Sequence, residues 1–312
     1  MSDHPQSSTE ASDIPRENWV DRYAPAAVRP WMRLARLDRP IGTWLLLLPC
    51  WWSQALATAS GPEPAWPSPW YILLFAVGAS VMRGAGCTWN DITDREFDAR
   101  VARTATRPIP SGEVTVRGAL VFLVLQMLLG LAVLASFNLY AIAVGAASLL
   151  LIFPYPFMKR ITWWPQAWLG LTFNWGALVG WAAVAGSLSP APLLMYAAGF
   201  FWTLGYDTIY AHQDKEDDAL IGVKSSARRL GGRTRPFLFL FYGVTVLLLG
   251  ASGWAAAMAW PFYIGLAAAT LQLAWQAVDV DIDSPHDCLA KFKSNKWFGL
   301  ILLAGIIAAG RV

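Results

Sequence analysis

Two groups of acidic residues stand out in this chain, because each group directly follows a long apolar stretch. In the first group, Asn90, Asp94 and Asp98 recur every four residues. If the apolar stretch continues as a helix, these three side chains share one face of it, and Arg83 lies two turns earlier on that face. Neighbouring carboxylates repel one another, and a hard divalent cation would keep them ionised. The spacing therefore predicts a Mg²⁺ site formed by carboxylates and phosphate oxygens.

The second group repeats this pattern further along the chain. Asp207, Asp214 and Asp218 are separated by seven and four residues, so on a continuous helix they again share a stripe. The basic residues that surround this stripe are Lys215, Lys224, Arg228 and Arg229. Metal ions can bridge carboxylates to phosphate oxygens while basic side chains neutralise the remaining charge. Two such groups predict a diphosphate site, which Lys159 and Arg160 of a further basic loop are candidates to join.

Ordinary solvated loops are the alternative explanation, since runs of mixed charge usually lie on protein surfaces. That explanation suits a single loop better than two loops that carry the same carboxylate stripe at a helix end. His212, next to the second group, is predicted to be a packing residue rather than a catalytic base.

The elements that position these groups are predicted to lie in a membrane. The 312-residue chain is 56% hydrophobic and only 14% charged, its mean hydropathy is +0.40, and several of its 18 Trp residues stand at the ends of apolar runs. The net charge of +3, with basic and acidic residues interspersed, excludes nucleic acid as an expected partner. The three cysteines have no metal-ligand spacing, so neither a zinc site nor a disulfide framework is predicted.

Nine apolar segments are candidate membrane spans. They cover residues 41–59, 69–87, 118–136, 138–154, 166–186, 191–206, 236–253, 258–278 and 297–310. The fourth, sixth and ninth are short for a hydrocarbon core of about 30 Å, so eight spans are an alternative. Basic residues on one side of 28–39 and apolar residues on the other predict an interfacial amphipathic helix that ends at Pro40. The predicted domains are a polar cytosolic tail, 1–27, and a transmembrane domain, 28–312.

The loops between these segments alternate in charge. Sixteen of the Lys and Arg residues lie in 88–117, 155–165, 207–235 and 279–296, whereas the intervening turns have none. By the positive-inside rule, the amino terminus and these four loops face the cytosol. The acidic amino terminus is unlike a secretory signal or a transit peptide. We therefore expect a multi-pass protein of the bacterial inner (cytoplasmic) membrane with its amino terminus and active-site cap in the cytosol.

From about Pro30 to Gly310 the chain resembles the UbiA superfamily of intramembrane aromatic prenyltransferases. The first acidic group is similar to the family's NDxxDxxxD motif and the Arg-Pro pair after it, matched by Asn90, Asp91, Asp94, Asp98, Arg107 and Pro108. The second is similar to YDxxYAxxDxxDDxxxGxKS, matched by Tyr206, Asp207, Tyr210, Asp214, Asp217, Asp218, Gly222, Lys224 and Ser225. Four further stretches resemble the branch that prenylates 4-hydroxybenzoate, and they lie in 36–43, 155–160, 165–176 and 292–295.

This resemblance implies an all-α fold in which about nine transmembrane helices form a ring around a central cavity with a cytosolic cap. It implies Mg²⁺-dependent transfer of a polyprenyl group from polyprenyl diphosphate to the ring carbon ortho to the hydroxyl of 4-hydroxybenzoate, in ubiquinone biosynthesis. The expected catalytic residues are Asp91, Asp94, Asp98, Asp207, Asp214 and Asp218, and the expected Mg²⁺ ligands are Asn90, Asp94, Asp98, Asp214 and Asp218. The expected diphosphate contacts are Arg107, Lys159, Arg160, Lys215 and Lys224, and the expected acceptor contacts are Arg36 and Arg83.

Three other functions stay open. The metal motifs do not contact the acceptor, so a naphthoate, homogentisate or a porphyrin-derived ring could undergo the same chemistry. A secondary transporter would use intramembrane carboxylates for ions, but such sites lie near the membrane midplane, whereas these acidic groups lie at helix ends. A membrane-anchored structural subunit gives no reason for two matching carboxylate stripes.

Overall fold

A computed structural model of the chain describes residues 14–15, 18–61, 65–102, 104–216, 219 and 222–312. Every regular element among these described residues is helical, as predicted. The chain divides into two compact units. The first unit comprises Met1–Gly42 and Ser80–Gly130, and the second comprises Thr43–Ala79 and Leu131–Val312. Each acidic group falls within one of these units.

The α-helices are numbered in chain order. They are α1 (Trp19–Tyr23), α2 (Arg29–Leu34), α3 (Ile41–Ala59), α4 (Pro69–Asp98), α5 (Val116–Leu134), α6 (Leu139–Ala147), α7 (Leu149–Ile152), α8 (Met158–Ile161), α9 (Pro165–Phe173), α10 (Gly176–Ala185), α11 (Pro190–Ala211), α12 (Ser226–Leu230), α13 (Thr234–Ala255), α14 (Trp260–Asp279) and α15 (Pro285–Ala309). Short 3₁₀ turns cover Tyr155–Phe157, His212–Asp214 and Gly231–Arg233.

Six helical stretches in the described part of the chain are long and apolar enough to cross a membrane. They are Pro69–Asp98, Val116–Leu134, Leu139–Ile161, Pro165–Ala185, Ser226–Ala255 and Pro285–Ala309. Helices α3, α11 and α14 have 19, 22 and 20 residues but do not reach the same apolar character. The helical membrane class is therefore confirmed, and the count of nine spans stays a prediction.

In the first unit, α2, the end of α4 and the start of α5 pack around one apolar cluster. Its buried members are Leu34, Ala85, Ile92, Ile109, Val114, Ala119 and Leu123. Two of them, Ile109 and Val114, belong to the loop after α4, and Thr104 of that loop donates its hydroxyl to the carbonyl oxygen of Asp98 at 2.8 Å. These contacts hold the loop, and Arg107 within it, against the end of α4.

The predicted amphipathic helix over 28–39 is shorter than expected. Helix α2 ends at Leu34, and Arg36 has a φ of 58°, in the left-handed region that a helix cannot continue through. The helix therefore ends before Pro40. The Arg36 side chain contacts the buried carboxylate of Asp91. Before α2, Trp19 donates its indole N–H to the carbonyl oxygen of Leu37 at 2.8 Å, so α1 packs against this segment.

In the second unit, the predicted segment 166–186 is divided into α9 and α10. The division lies at Asn174, whose Nδ2 donates to the carbonyl oxygen of Gly170 at 2.9 Å and to the hydroxyl of Thr203 at 2.8 Å. A side-chain amide that bonds to the backbone competes with the helical ladder, which explains the break. After it, Gly176 and Gly180 let α10 approach α3 closely, since a Cβ at either position would lie 2.4 Å from an atom of Cys50.

The last helix begins well before the predicted residue 297. Helix α15 starts at Pro285, and the hydroxyl of Ser284 caps it by accepting the backbone N–H of Asp287 at 3.3 Å. Residues 285–296 were predicted to be a loop because they are charged. They form a helix in which Lys291 is only 3% exposed, and two carboxylates compensate its charge, since its ammonium lies 2.7 Å from Asp279 and 2.9 Å from Asp287.

Candidate active site

The first acidic group lies on the last turns of α4, as its spacing predicts. Helix α4 continues to Asp98, so Asn90, Asp94 and Asp98 share one stripe. Asp91 and Asp94 are fully buried, and Asp98 is 7% exposed. Three carboxylates are thus removed from water within two helical turns, and an arrangement of this kind requires compensating positive charge.

Two arginines of the same unit supply part of that charge. Arg36 places Nη2 2.7 Å from Oδ1 of Asp91. Arg107 places Nη1 2.8 Å from Oδ2 of Asp98 and 3.4 Å from the same Oδ1 of Asp91. The structure therefore brings together four residues that were predicted to be in the site. In this arrangement the Asp91 carboxylate contacts two guanidinium groups, and Asp98 of the stripe contacts one of them.

Arg83, the second expected acceptor contact, lies against the backbone of Gly42. A Cβ at Gly42 would lie 2.5 Å from Nε of Arg83, so a side chain at this position would displace the guanidinium from where it lies. Arg36 pairs with Asp91, and Asp38 lies 3.2 Å from Nε of Arg39. Burial raises the pKa of Asp38 above its ordinary value, and the charges of Arg39 and Arg36 oppose that rise.

The second acidic group departs from the predicted stripe. Helix α11 ends at Ala211, and a tighter 3₁₀ turn covers His212–Asp214. Because a 3₁₀ turn has 3.0 residues per turn, Asp214 no longer follows the helical spacing from Asp207. Both carboxylates are half-buried. Asp218, with Asp217, lies outside the described residues, so its place in the site stays a prediction.

The predicted basic residues of this unit lie on two adjacent segments. The backbone N–H of Lys224 donates to the carbonyl oxygen of Lys159 at 3.0 Å, and its ammonium donates to that of Ile161 at 3.1 Å. Arg160 follows Lys159 on α8, so these three basic residues are neighbours. Two residues after Lys224, the hydroxyl of Ser226 lies 2.7 Å from the hydroxyl of Thr208, which follows Asp207. Thus the basic segments pack beside the end of α11.

The Lys215 side chain contacts an aspartate of the same unit. Its ammonium lies 3.4 Å from Oδ1 of Asp283, with side-chain exposures of 35% and 79%. A pair this exposed contributes at most about 1 kcal/mol, so an incoming phosphate could replace the carboxylate. The diphosphate role of Lys215 therefore stays a prediction.

His212 is held as a neutral packing residue. Its Nε2 lies 2.8 Å from the hydroxyl of Thr234, and the residue is 5% exposed. Burial, together with the charge of Lys215, lowers its pKa from 6.5 to about 4, and the charge of Asp283 opposes this shift. At neutral pH the imidazole is uncharged, in agreement with the expected packing role.

Several buried polar residues were given no role by the sequence. Asn295 accepts the indole N–H of Trp202 at 2.8 Å, and Gln276 accepts the Tyr242 hydroxyl at 2.9 Å. Together with Asn174 and Lys291 they are at most 3% exposed. Gln276 is a polar residue within an otherwise apolar helix, and that pattern is the signal that could have identified it.

In the described part of the chain, no three His, Cys, Asp or Glu side chains converge as a metal cluster. Mg²⁺ does not require one, because proteins usually bind it through one or two carboxylates together with substrate phosphates. The hard oxygen donors of Asn90, Asp94 and Asp98 fit that requirement. Asp214 offers a further oxygen donor in its own unit.

The helices are apolar, and buried carboxylates at the end of α4 pair with arginines of adjoining segments. These features define the class of this protein as an α-helical membrane protein with an ionic site at a helix end. Residues 46–301 match the model of the UbiA prenyltransferase family. Since the match covers more than half of the chain, the chain belongs to the UbiA prenyltransferase family.

Two similar relatives are named mitochondrial 4-hydroxybenzoate polyprenyltransferases. The protein of Arabidopsis thaliana is 52% identical over 295 residues, which are 94% of this chain and 72% of the relative. The protein of Caenorhabditis elegans is 50% identical over 297 residues, which are 95% of this chain and 83% of the relative. The chain is thus similar to these enzymes over nearly its whole length.

Two solved structures share the fold. A UbiA homologue from Aeropyrum pernix K1, in an apo form, has a TM-score of 0.70 and 25% identity, over 85% of this chain and 97% of the homologue. A UbiA homologue from Archaeoglobus fulgidus, bound to GPP and Mg²⁺, has a TM-score of 0.64 and 19% identity, over 91% of this chain and 100% of the homologue. The expected fold class is therefore confirmed.

The comparisons correct the expected location. Both relatives are named as mitochondrial enzymes, so the prediction of a bacterial inner membrane was wrong. Hydropathy shows that a helix can cross a bilayer, and loop charge shows which of its ends is more basic. Neither property identifies the membrane in which the protein lies.

Proposed function

We propose that the chain transfers a polyprenyl group from polyprenyl diphosphate to the carbon ortho to the hydroxyl of 4-hydroxybenzoate, a step of ubiquinone biosynthesis. The observation that carries the proposal is the buried ionic group at the end of α4, where Asp91 and Asp98 pair with Arg36 and Arg107 and Asp94 is fully buried. Relatives named for this reaction support it with 50% to 52% identity over more than nine tenths of the chain.

The chain's own residues would divide the binding of the donor substrate. Asn90, Asp94, Asp98, Asp214 and Asp218 would hold Mg²⁺, which supplies charge neutralisation for the leaving diphosphate. The carboxylate ligands suit a hard cation, and a protein of the same fold binds GPP with Mg²⁺. Cationic side chains would contact the remaining phosphate oxygens, and these are Arg107, Lys159, Arg160, Lys215 and Lys224.

The reaction itself exchanges one bond for another. The bond from the allylic carbon to the diphosphate oxygen breaks, and a new bond forms between that carbon and the ring carbon ortho to the phenol hydroxyl. The ring then loses the proton of that carbon to a carboxylate, to water or to the released diphosphate, and regains aromaticity. An arginine fork on the acceptor carboxylate, from Arg36 or Arg83, would orient the ring, because an unpaired anion in a buried site is costly.

The product of the purified protein tests this proposal. With Mg²⁺, polyprenyl diphosphate and 4-hydroxybenzoate, mass spectrometry should detect the acid with one polyprenyl group in place of a ring hydrogen. Naphthoate, homogentisate and a porphyrin-derived ring serve as competing acceptors. A product with one of these rings and none with 4-hydroxybenzoate would contradict the acceptor.

The metal assignment has its own test. Asp94→Ala and Asp214→Ala should each lower kcat/KM by at least about 100-fold in protein that stays folded and inserted, since each removes an anionic ligand. EDTA should abolish turnover reversibly. Near-native activity of either variant with Mg²⁺ would show that its carboxylate group is not part of the metal site.

A further inference from the structure

Helix α11 presents an aromatic stripe in the turns that lead to the second acidic group. Trp202, Tyr206 and Tyr210 recur every four residues, so they share one face of the helix. Trp202 is fully buried and Tyr206 is 1% exposed. Asp207 follows Tyr206 directly, so the rotation of this face about the helix axis also determines where Asp207 is placed.

Three residues of α15 in the same unit contact this stripe, and one of them is Phe298, whose ring lies 5.1 Å from the ring of Trp202. The ring of Phe292 lies 4.4 Å from the ring of Tyr210 and 5.7 Å from the ring of Tyr206, between centroids. One turn further, Oδ1 of Asn295 accepts the indole N–H of Trp202 at 2.8 Å. Every member of the stripe therefore has a partner on α15, and these partners are three residues apart on one face.

The face of α15 that makes these contacts is itself held firmly. Nδ2 of Asn295 donates to Oε1 of Gln276 on α14 at 3.3 Å. Lys291, next to Phe292, lies 2.7 Å from the carboxylate of Asp279 at the end of α14. Phe292 is 9% exposed, and Asn295 and Gln276 are fully buried. A buried polar network with satisfied partners has little freedom to shift, so Phe292 is a fixed surface for α11.

We propose that Phe292 is a positioning residue for the second acidic group, and that Asn295 supports it through Trp202. Phe292 does not touch a substrate in this role. It fixes the rotation of the last turns of α11 and thereby the positions of Asp207 and, after the 3₁₀ turn, of Asp214. The inference rests on the proposed function, because it assigns these carboxylates to the binding of a diphosphate with Mg²⁺.

The geometry shows why a small rotation matters. Side-chain ends lie about 5–6 Å from a helix axis, so a rotation of about 10° moves a carboxylate oxygen by about 1 Å. A displacement of about 1 Å can lower an enzymatic rate by about 100-fold. Replacing the ring of Phe292 by a branched aliphatic side chain keeps the site apolar but removes both ring contacts.

Binding of geranyl diphosphate in the presence of Mg²⁺, measured by isothermal titration, tests the proposal independently of turnover. Phe292→Leu should raise the Kd by about tenfold or more, and Phe292→Tyr, which keeps the ring, should stay within about threefold of the wild type. The KM for polyprenyl diphosphate should rise with the Kd, whereas the KM for 4-hydroxybenzoate should not change. Phe262→Leu is the matched control, since Phe262 is fully buried near the other end of α14.

The outcomes separate this inference from the proposed function. If Phe292→Leu binds the probe like the wild type, or if Phe262→Leu weakens binding equally, Phe292 has only a packing role and the inference is wrong. If the wild type binds the probe and Phe292→Leu does not, but no prenylated 4-hydroxybenzoate forms, the positioning role stands and the proposed acceptor is wrong.

Discussion

Replacing Asp91 by asparagine removes one negative charge from the buried cluster at the end of α4 and preserves the size of the side chain. In the native protein, Oδ1 of Asp91 lies between Nη2 of Arg36 and Nη1 of Arg107, at 2.7 and 3.4 Å. Asp91 is fully buried, and the side chain of Arg36 is only 8% exposed. Water therefore cannot compensate for the lost charge.

The distances give the size of the effect. Two like charges at a separation of about 6 Å, the largest that these two contacts allow, repel by about 3 kcal/mol at an effective dielectric constant of about 20. Removing one partner of a buried ion pair costs about 3–5 kcal/mol. The new amide oxygen can still accept one hydrogen bond, so we expect the lower end of this range for Asp91→Asn. Such a loss is a large part of the stability of a typical domain.

The expected consequences differ for the two arginines. Arg107 keeps its contact to Asp98 at 2.8 Å, so the group at the end of α4 retains one ion pair. Arg36 loses its contact to the charged Asp91 carboxylate and shifts. If Arg36 binds the acceptor, the KM for 4-hydroxybenzoate should rise by about tenfold, which corresponds to about 1.4 kcal/mol. The KM for polyprenyl diphosphate should change less.

Thermal unfolding in detergent and steady-state kinetics measure these two effects on one preparation. Asp21→Asn is the matched control, because Asp21 also contacts an arginine, Arg33, at 2.6 Å, but with side-chain exposures of 28% and 22%. Because this pair is partly solvated, it should contribute only about 1 kcal/mol. A variant Asp91→Asn with the Tm and both KM values of the wild type would refute the argument that this carboxylate holds the arginines.

Two further predictions concern the arginines expected to bind the acceptor. Arg36→Lys and Arg83→Lys should each raise the KM for 4-hydroxybenzoate by about tenfold, since a lysine cannot form the bidentate fork. The KM for polyprenyl diphosphate should rise less. An increase confined to the KM for the diphosphate substrate would assign these arginines to the donor site. Gly42→Ala should displace the Arg83 guanidinium, which lies 2.5 Å from the added Cβ, and raise the KM for 4-hydroxybenzoate with little change in Tm. Gly86→Ala, where nothing lies within 4 Å, is its control, and equal kinetics of both variants would contradict the prediction.

Predictions from the sequence were accurate for elements whose bounds depend on one local pattern, such as an apolar run or a regular spacing. The apolar run 41–59 corresponds to α3 at both ends, because it is bounded by Pro40 and by polar residues. The spacing of Asn90, Asp94 and Asp98 predicted that α4 continues beyond its apolar part, since only a helix gives that repeat a common face.

Predictions from the sequence were wrong where tertiary contacts determine the local structure. The charged residues 285–296 read as a loop, yet two carboxylates neutralise Lys291 and the segment is helical. The stripe from Asp207 to Asp214 assumed a uniform helix, yet the chain tightens into a 3₁₀ turn after Ala211. The early end of α2 depends on the attraction between Arg36 and Asp91, which are far apart in the sequence.

The two acidic groups differ in how their charge is stabilised, and this difference bears on their functions. Asp91 and Asp98 of the first group are buried and pair with arginines of their own unit, so these two carboxylates have cationic partners before any substrate binds. Asp207 and Asp214 of the second group are half-buried, and the neighbouring Lys224 donates to a backbone carbonyl oxygen. Side chains in that environment retain part of their contact with water. A substitution in the first group therefore acts on both stability and turnover, whereas one in the second acts mainly on turnover.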